Sequence, residues 1–272
     1  MLVLQRWQMQ KEFKNKFNKW YEDLRDKKLI LTNDIDSLAS CYVLNRLFGC
    51  KVRGFYDFKQ LGYTNSFDRK GFIGVDMDAV VKNATVFGNH VTYFKNPDVV
   101  SLNKDITRAN YTNKFAGSTL ITILSLYNID LSSFTEEQLE VLISVDVAFK
   151  QYYFNKDLFK YYYNDILQYP IFTKIVGKHN KQYFYNIIRK YNLHKDINLK
   201  NGFLHTEIDL QGLSFLFDID LTLPKDKFEV THRFFDEGIN LSPGNIKILE
   251  KERNRIFSSA LIYKNTLKYS AL

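Results

Sequence analysis

The chain has 272 residues, of which 45% are hydrophobic, 25% charged and 16% aromatic, and its formal charge is +8 at neutral pH. These proportions are those of a globular protein with a sizeable core, and they exclude a disordered or low-complexity chain. No apolar run approaches the span of a bilayer, and MLVLQRWQMQKEF turns polar too early for a secretory signal, so no membrane and a cytoplasmic location are expected. Two cysteines, Cys41 and Cys50, are too few for a disulfide framework or a thiolate zinc site and read as buried thiols.

The positive balance favours polyanionic partners such as oligonucleotides or nucleotides, because basic surface attracts phosphate whatever the base sequence. Much of it lies in residues 1–28 and 247–268, two stretches of helical character whose solvated faces account for most of the charge.

In chain order, Phe13, Phe17, Trp20 or Tyr21, and Leu24 fall at helical spacing and predict one amphipathic helix. LILTNDID then reads as a strand ending in polar residues, followed by a helix, LASCYVLNRLFG, closed by Gly49. KVRGFYDF predicts a second strand, GFIGVDMD a third that ends in two aspartates, and NATVFGNHVTYF a fourth interrupted by a Gly-Asn-His turn. FAGSTLITILSLYNI reads as a buried helix. The next begins at Ser133 and Glu136, at capping-box spacing, and carries Asp146 within an apolar stretch. Beyond about residue 155 a Tyr-rich helical region leads to the strand-like runs GFLHTEIDL and LSFLFDIDLTL.

This alternation predicts an α/β fold, a mostly parallel sheet with helices on both faces, with ligands beyond the carboxyl ends of the strands. The expected division is residues 1–155, a helical linker region at 156–194, and a smaller α+β C-terminal domain at 195–272.

Asp34 and Asp36, Asp76 and Asp78, Asn89 and His90, and Asp146 all fall where strands stop or helices turn polar. Carboxylates gathered at one point repel unless a cation compensates them, and oxygen donors with an imidazole suit Mn2+ or Mg2+. Helix capping alone explains only one of Asp34 and Asp36. Asp78 reads as a capping or surface residue, and His179, His194 and His205 as surface or turn residues.

TNDIDSLAS resembles the first motif of the DHH phosphoesterases, with Asp34 and Asp36 on its aspartates and Ser40 on its serine. VDMD resembles the second motif, FGNH lies where the third should stand, and Asn96-Pro97, FAGS and Asp146 resemble the family's later elements in order; together they span residues 29 to about 150. The resemblance implies a divalent-metal-dependent phosphodiesterase acting on short oligonucleotides or signalling (cyclic) nucleotides. Asp34, Asp36, Asp76, Asn89 and Asp146 would hold metal, Asp76 bridging two ions, and His90 would face the substrate phosphate. Thr32, Ser37, Gly88 and Asn89 depart from the family pattern, and two imidazole ligands are replaced. A one-residue shift would make His90 the ligand, and both alignments stay open. The family's glycine-rich substrate loop has no counterpart here; THRFFDEGINLSPGN, with Arg233 or His232 toward phosphate, is the nearest candidate and reads more readily as a plain loop. The alternatives are a degenerate member of the fold that binds nucleotide without hydrolysis, or a partner-binding protein; a homodimer is left open.

Overall fold

A computed structural model describes residues 8–64 and 71–272; Met1 to Trp7, part of the polar N-terminal stretch, lie outside the described residues. The elements of the first half are α1 (Lys11–Lys14), β1 (Lys28–Leu31), α2 (Ile35–Phe48), β2 (Lys51–Tyr56), β3 (Gln60–Thr64), β4 (Phe72–Val75), β5 (Thr85–Phe87), β6 (Val99–Val100), α3 (Thr119–Leu126) and α4 (Glu136–Ser144). There follow α5 (Lys150–Phe154), α6 (Lys156–Lys160), α7 (Pro170–Lys178), α8 (Lys181–Lys190), β7 (Ile197–Lys200), β8 (Phe203–Thr206) and α9 (Leu210–Phe217). The last are β9 (Phe228–Arg233), β10 (Phe235–Asn240), α10 (Pro243–Lys251), β11 (Ile256–Tyr263) and β12 (Thr266–Ala271).

The main sheet has seven strands in the order β6-β5-β4-β1-β2-β3-β9. The run from β6 to β2 is parallel, while β3 and β9 are antiparallel additions. Helices flank this sheet, and smaller antiparallel sheets (β10-β12-β11 and β7-β8) complete an α/β fold with a smaller C-terminal part. β1 is buried on both sides: Leu29 and Leu31 join the principal core with Leu38, Cys41 and Leu44 of α2, whereas Ile30 joins Tyr56, Val86 and Phe234. A fully buried leucine such as Leu29 or Leu44 contributes about 2 kcal/mol. Both cysteines are free and buried.

Local chemistry sets α2. Asp34 caps it by accepting the Ser37 N–H (2.9 Å), and Gly49 ends it at φ 71°, a conformation that costs glycine nothing.

Six sequence expectations are corrected. LSFLFDIDLTL begins within helix α9 and forms no strand, and the basic stretch 247–268 leaves helix after Arg255 for β11 and β12. The N-terminal helix is only one turn, α1, followed after a break by a 3-10 turn at Lys19–Glu22. The intervening chain is held instead to the loop before β6, where Asn18 bonds Asp98 (2.6 Å) and Trp20 Nε1 donates to the Asp98 carbonyl (2.9 Å). The fourth strand does not resume after Gly88. α4 is capped two residues later than expected, by Thr135 with Gln138, because Phe134 already belongs to a turn closed onto Leu131. The segment around Arg233 is not a plain loop: it forms β9 and β10, and Ser242 caps α10.

Candidate metal centre

The carboxyl ends of β1 and β4 are adjacent, since Leu31 pairs with Val75, so the residues just beyond them meet. Ser37 locks this meeting point: its hydroxyl accepts the Thr32 N–H (2.8 Å) and donates to the Val75 carbonyl (2.8 Å). Thr32 donates to the Asp76 carbonyl (3.3 Å), so its side chain serves the backbone rather than the cleft. Asp76 takes φ 55° and Asp146 φ 54°, left-handed conformations uncommon for non-glycine residues, which aim both carboxylates inward. Val147, β-branched and at φ 50°, shares the distortion. Asp146 therefore sits at a kink after α4 and not within a continuous helix, and one side of it stays open to solvent.

Carboxylate oxygens of Asp36, Asp76 and Asp146 lie within 4.8 Å of one another, close to the spacing required of oxygens sharing one ion at roughly 2.1 Å. Asp34 joins them through Asp76. Asp36 is fully buried and accepts the backbone N–H groups of Thr119 and Leu120 (2.7 Å each), so its charge also faces the N-terminus of α3. Asp76 accepts the Thr119 hydroxyl (2.6 Å).

Burial raises all these acids, and mutual repulsion adds to it for Asp34, Asp36 and Asp76. Asp34 is pushed up to about 7 by burial and by Asp146. Burial and Asp76, then Asp146 and Asp34, hold Asp36 well above the ordinary carboxylate range; burial and Asp34 do the same to Asp76. Asp146, open to solvent on one side, is raised by desolvation of its inward side, with His90 and Asn89 opposing the shift.

Asn89 and His90 separate cleanly. Asn89 donates to Asp146 Oδ2 (2.5 Å) and to the Gly117 carbonyl (3.1 Å), while its own Oδ1 is buried without a hydrogen-bond partner among the described residues. Asn89 is thus the residue that contacts the carboxylates. His90 turns its Nδ1 to Asp78 Oδ2 (2.7 Å) and leaves its ring 42% exposed. Withdrawal from water opposes its charge, but Asp78, then Asp76 and Asp146, lift the imidazolium to about 10. Asp78, expected as a capping or surface residue, is instead buried and orients His90. Gly88 is required there, because a Cβ would meet the Met77 carbonyl at 2.9 Å.

The donor set fits a hard divalent cation: several carboxylates, one orphaned amide oxygen and no thiolate. A larger cavity, about 760 Å³, opens elsewhere against the sheet among Ile30, Phe72, Met77 and Val86 and contains none of the four aspartates. Among the described residues a second group, Glu136, Glu140 and His179, also converges. There Lys178 and Tyr183 already satisfy the two glutamates (2.6 and 2.9 Å), and His179, in the bend between α7 and α8, is held against Glu140. Arg233 lies on the outermost strand, opposite Gln60 and three strands from β1, about 14 Å away at ~4.8 Å per strand.

Sequence reasoning missed three braces. Thr119 bonds two of the acids, and its only signal was Ser118 as the N-cap of an apolar run. Gln151 clamps the loop before α3 at Lys114 and Ala116. Asn103 donates to the carbonyls of Asn89 (2.5 Å) and Phe115 (2.8 Å) and accepts the Phe115 N–H (2.8 Å), tying Asn89 to that same loop. Asn103→Ala strands these buried groups and is expected to cost about 3 kcal/mol in denaturant unfolding. A loss under about 1 kcal/mol would show that water replaces the clamp.

No protein-family model matches this chain, and comparison with curated proteins finds no match in sequence.

Proposed function

We propose that the chain is a divalent-metal-dependent phosphodiesterase that cleaves short oligonucleotides or signalling (cyclic) nucleotides, a divergent relative of the DHH phosphoesterases. The observation that carries this reading is the convergence of Asp36, Asp76 and Asp146 from three separate stretches, with Asp34 beside them. Repulsion of this size persists in a fold when a cation relieves it.

In this reading Asp34, Asp36, Asp76 and Asp146 hold Mn2+ or Mg2+, and Asn89 Oδ1 is a neutral ligand. Such an ion supplies Lewis acidity toward a phosphoryl oxygen and eases deprotonation of water. His90, whose imidazolium Asp78 favours and holds in place, donates from its exposed edge to a non-bridging oxygen as negative charge grows there. The backbone N–H groups that grip Asp36 hold its carboxylate still, so the geometry is set before substrate arrives. The test is metal content of the purified protein together with turnover of an oligonucleotide and cyclic-nucleotide panel. Bound manganese and release of nucleoside monophosphates are expected; protein that takes up no manganese and turns over nothing sinks the proposal.

A second reading, a binder without hydrolysis, is favoured by one observation. Thr32 and Gly88, where the resembling motifs place a ligating histidine and an aspartate, are committed to backbone packing and offer no ligand. Saturable nucleotide binding by metal-free protein, with no turnover, would select it.

A further inference from the structure

The β7–β8 hairpin is fastened to the acidic centre, since the Ile197 N–H donates to the Asn33 carbonyl (2.7 Å) beside Asp34. Two clefts run outward from that joint. The first, about 260 Å³, has Asp34 and Asp146 on one wall and His194, Lys195 and Asp196 on the other. The second, about 280 Å³, shares Lys195 and Asp196 and continues along Lys200 and His205. The two clefts therefore adjoin at Lys195 and Asp196 and together reach from the carboxylates to Lys200, the residue before the hairpin turn.

The hairpin's two faces differ in kind. Register pairs Asn198 with His205 and Lys200 with Phe203, and residues paired across antiparallel strands share a face. Those four point outward, while Ile197 and Leu204 are buried beneath. Phe203 is 44% exposed. At the tip a Cβ on Gly202 would stand 2.9 Å from the stem of Lys227, so a further ammonium flanks the turn. Glu207 lines the second cleft, 2.7 Å from Lys195 Nζ. Lys195, then Lys200 and His194, draw its carboxyl below the usual range, so one anion is shared by several cations.

An exposed aromatic between cations, on a path leading to a phosphodiester-cleaving centre, matches how single strands are held: phosphates on cations, bases on a ring. We infer that the outer face of this hairpin is a single-stranded nucleic-acid platform, with Lys195 and Lys200 taking successive phosphates and Phe203 stacking a base. Glu207 occupies the first phosphate position until substrate displaces it. The inference rests on the phosphodiesterase reading and narrows its substrate to oligonucleotides of more than one phosphate.

The experiment is fluorescence anisotropy with fluorescein-labelled hexathymidylate and the full chain in EDTA, so that binding is read apart from cleavage. Phe203→Ala is expected to weaken binding at least about fivefold. Lys195→Ala and Lys200→Ala should each weaken it and lower the salt slope of log affinity by about 0.7. Glu207→Gln should tighten it, a gain that misfolding cannot produce. Unchanged affinity in the lysine variants, weaker binding by Glu207→Gln, or equal displacement of the probe by a glutamate hexapeptide would each overturn the inference. Absence of manganese-dependent hydrolysis by the parent protein with these affinities intact would overturn the phosphodiesterase reading and leave the binding platform standing, and the two readings therefore fail separately.

Discussion

Asp76→Asn is expected to lower manganese-dependent phosphodiester hydrolysis by more than about 100-fold, since replacing groups that merely support metal ligands already costs 10- to 100-fold. The substitution keeps the side chain's shape and its acceptor for the Thr119 hydroxyl, so the turn after β4 retains its hydrogen bond. What it removes is one negative charge from a set of four. The ion-free variant should therefore unfold at a higher temperature than the ion-free parent, while activity falls. Those opposite signs separate a ligand from a structural aspartate, whose loss would lower stability. Retention of more than half the parental rate at saturating manganese would refute a metal-holding role for Asp76.

The second large effect is the response of stability to pH and manganese. Asp34 is raised to about 7 in the fold against an ordinary value near 3.9, so the folded state binds its proton more tightly than the unfolded state does. That contribution to stability is fully present below about pH 4 and is lost as pH rises toward and through 7. Asp36, Asp76 and Asp146 shift in the same direction, and the charge facing them is His90, itself paired with Asp78. Ion-free protein should accordingly be less stable at pH 8 than at pH 5, and Asp34→Asn should flatten that dependence. Manganese at about 100 times its dissociation constant contributes about 2.7 kcal/mol, or roughly 5 °C in Tm for a chain of this length. The rise belongs at pH 8 and should shrink at pH 5, where protons compete for the same oxygens. A Tm indifferent to manganese at pH 8 would contradict the ion-binding reading.

The parts of this centre that follow local rules were legible in the sequence. A strand, a polar turn and a helix closed by Gly49 appear where patterning and capping place them, and Asp34 both caps α2 and faces the cleft. Asp76 was visible as a polar residue ending an apolar run. Its left-handed backbone was not, because no local signal reports which way a strand-end carboxylate is aimed. The choice between Asn89 and His90 was equally closed to sequence reasoning. It turns on whether the ring reaches Asp78, on a loop pinned from distant chain by Phe257, whose carbonyl accepts the Val80 N–H (2.9 Å), and by Ser259, whose N–H bonds the Asp78 carbonyl (3.1 Å).

Long-range polar clamps were the other blind spot. Asn103 looks like an ordinary loop amide and Gln151 like an ordinary helix amide, yet both are buried because distant backbone groups need partners once α3 packs. Periodicity misled at the N-terminus for a related reason. Phe17, Tyr21 and Leu24 are all buried, as a helical stripe requires, but Asn18 and Trp20 gain more from the loop before β6 than from a continuous helix.

The pairing of β3 with β9 bears on how the molecule is made. β9 is encoded far downstream, so a nascent chain leaving the ribosome carries the aspartate centre long before its outer partner strand is synthesised. Throughout that interval Gln60–Thr64 shows solvent a row of unsatisfied N–H and carbonyl groups, the template on which chains aggregate. Translation pauses or chaperone supply during synthesis of the segment between these strands therefore bear directly on the yield of folded protein.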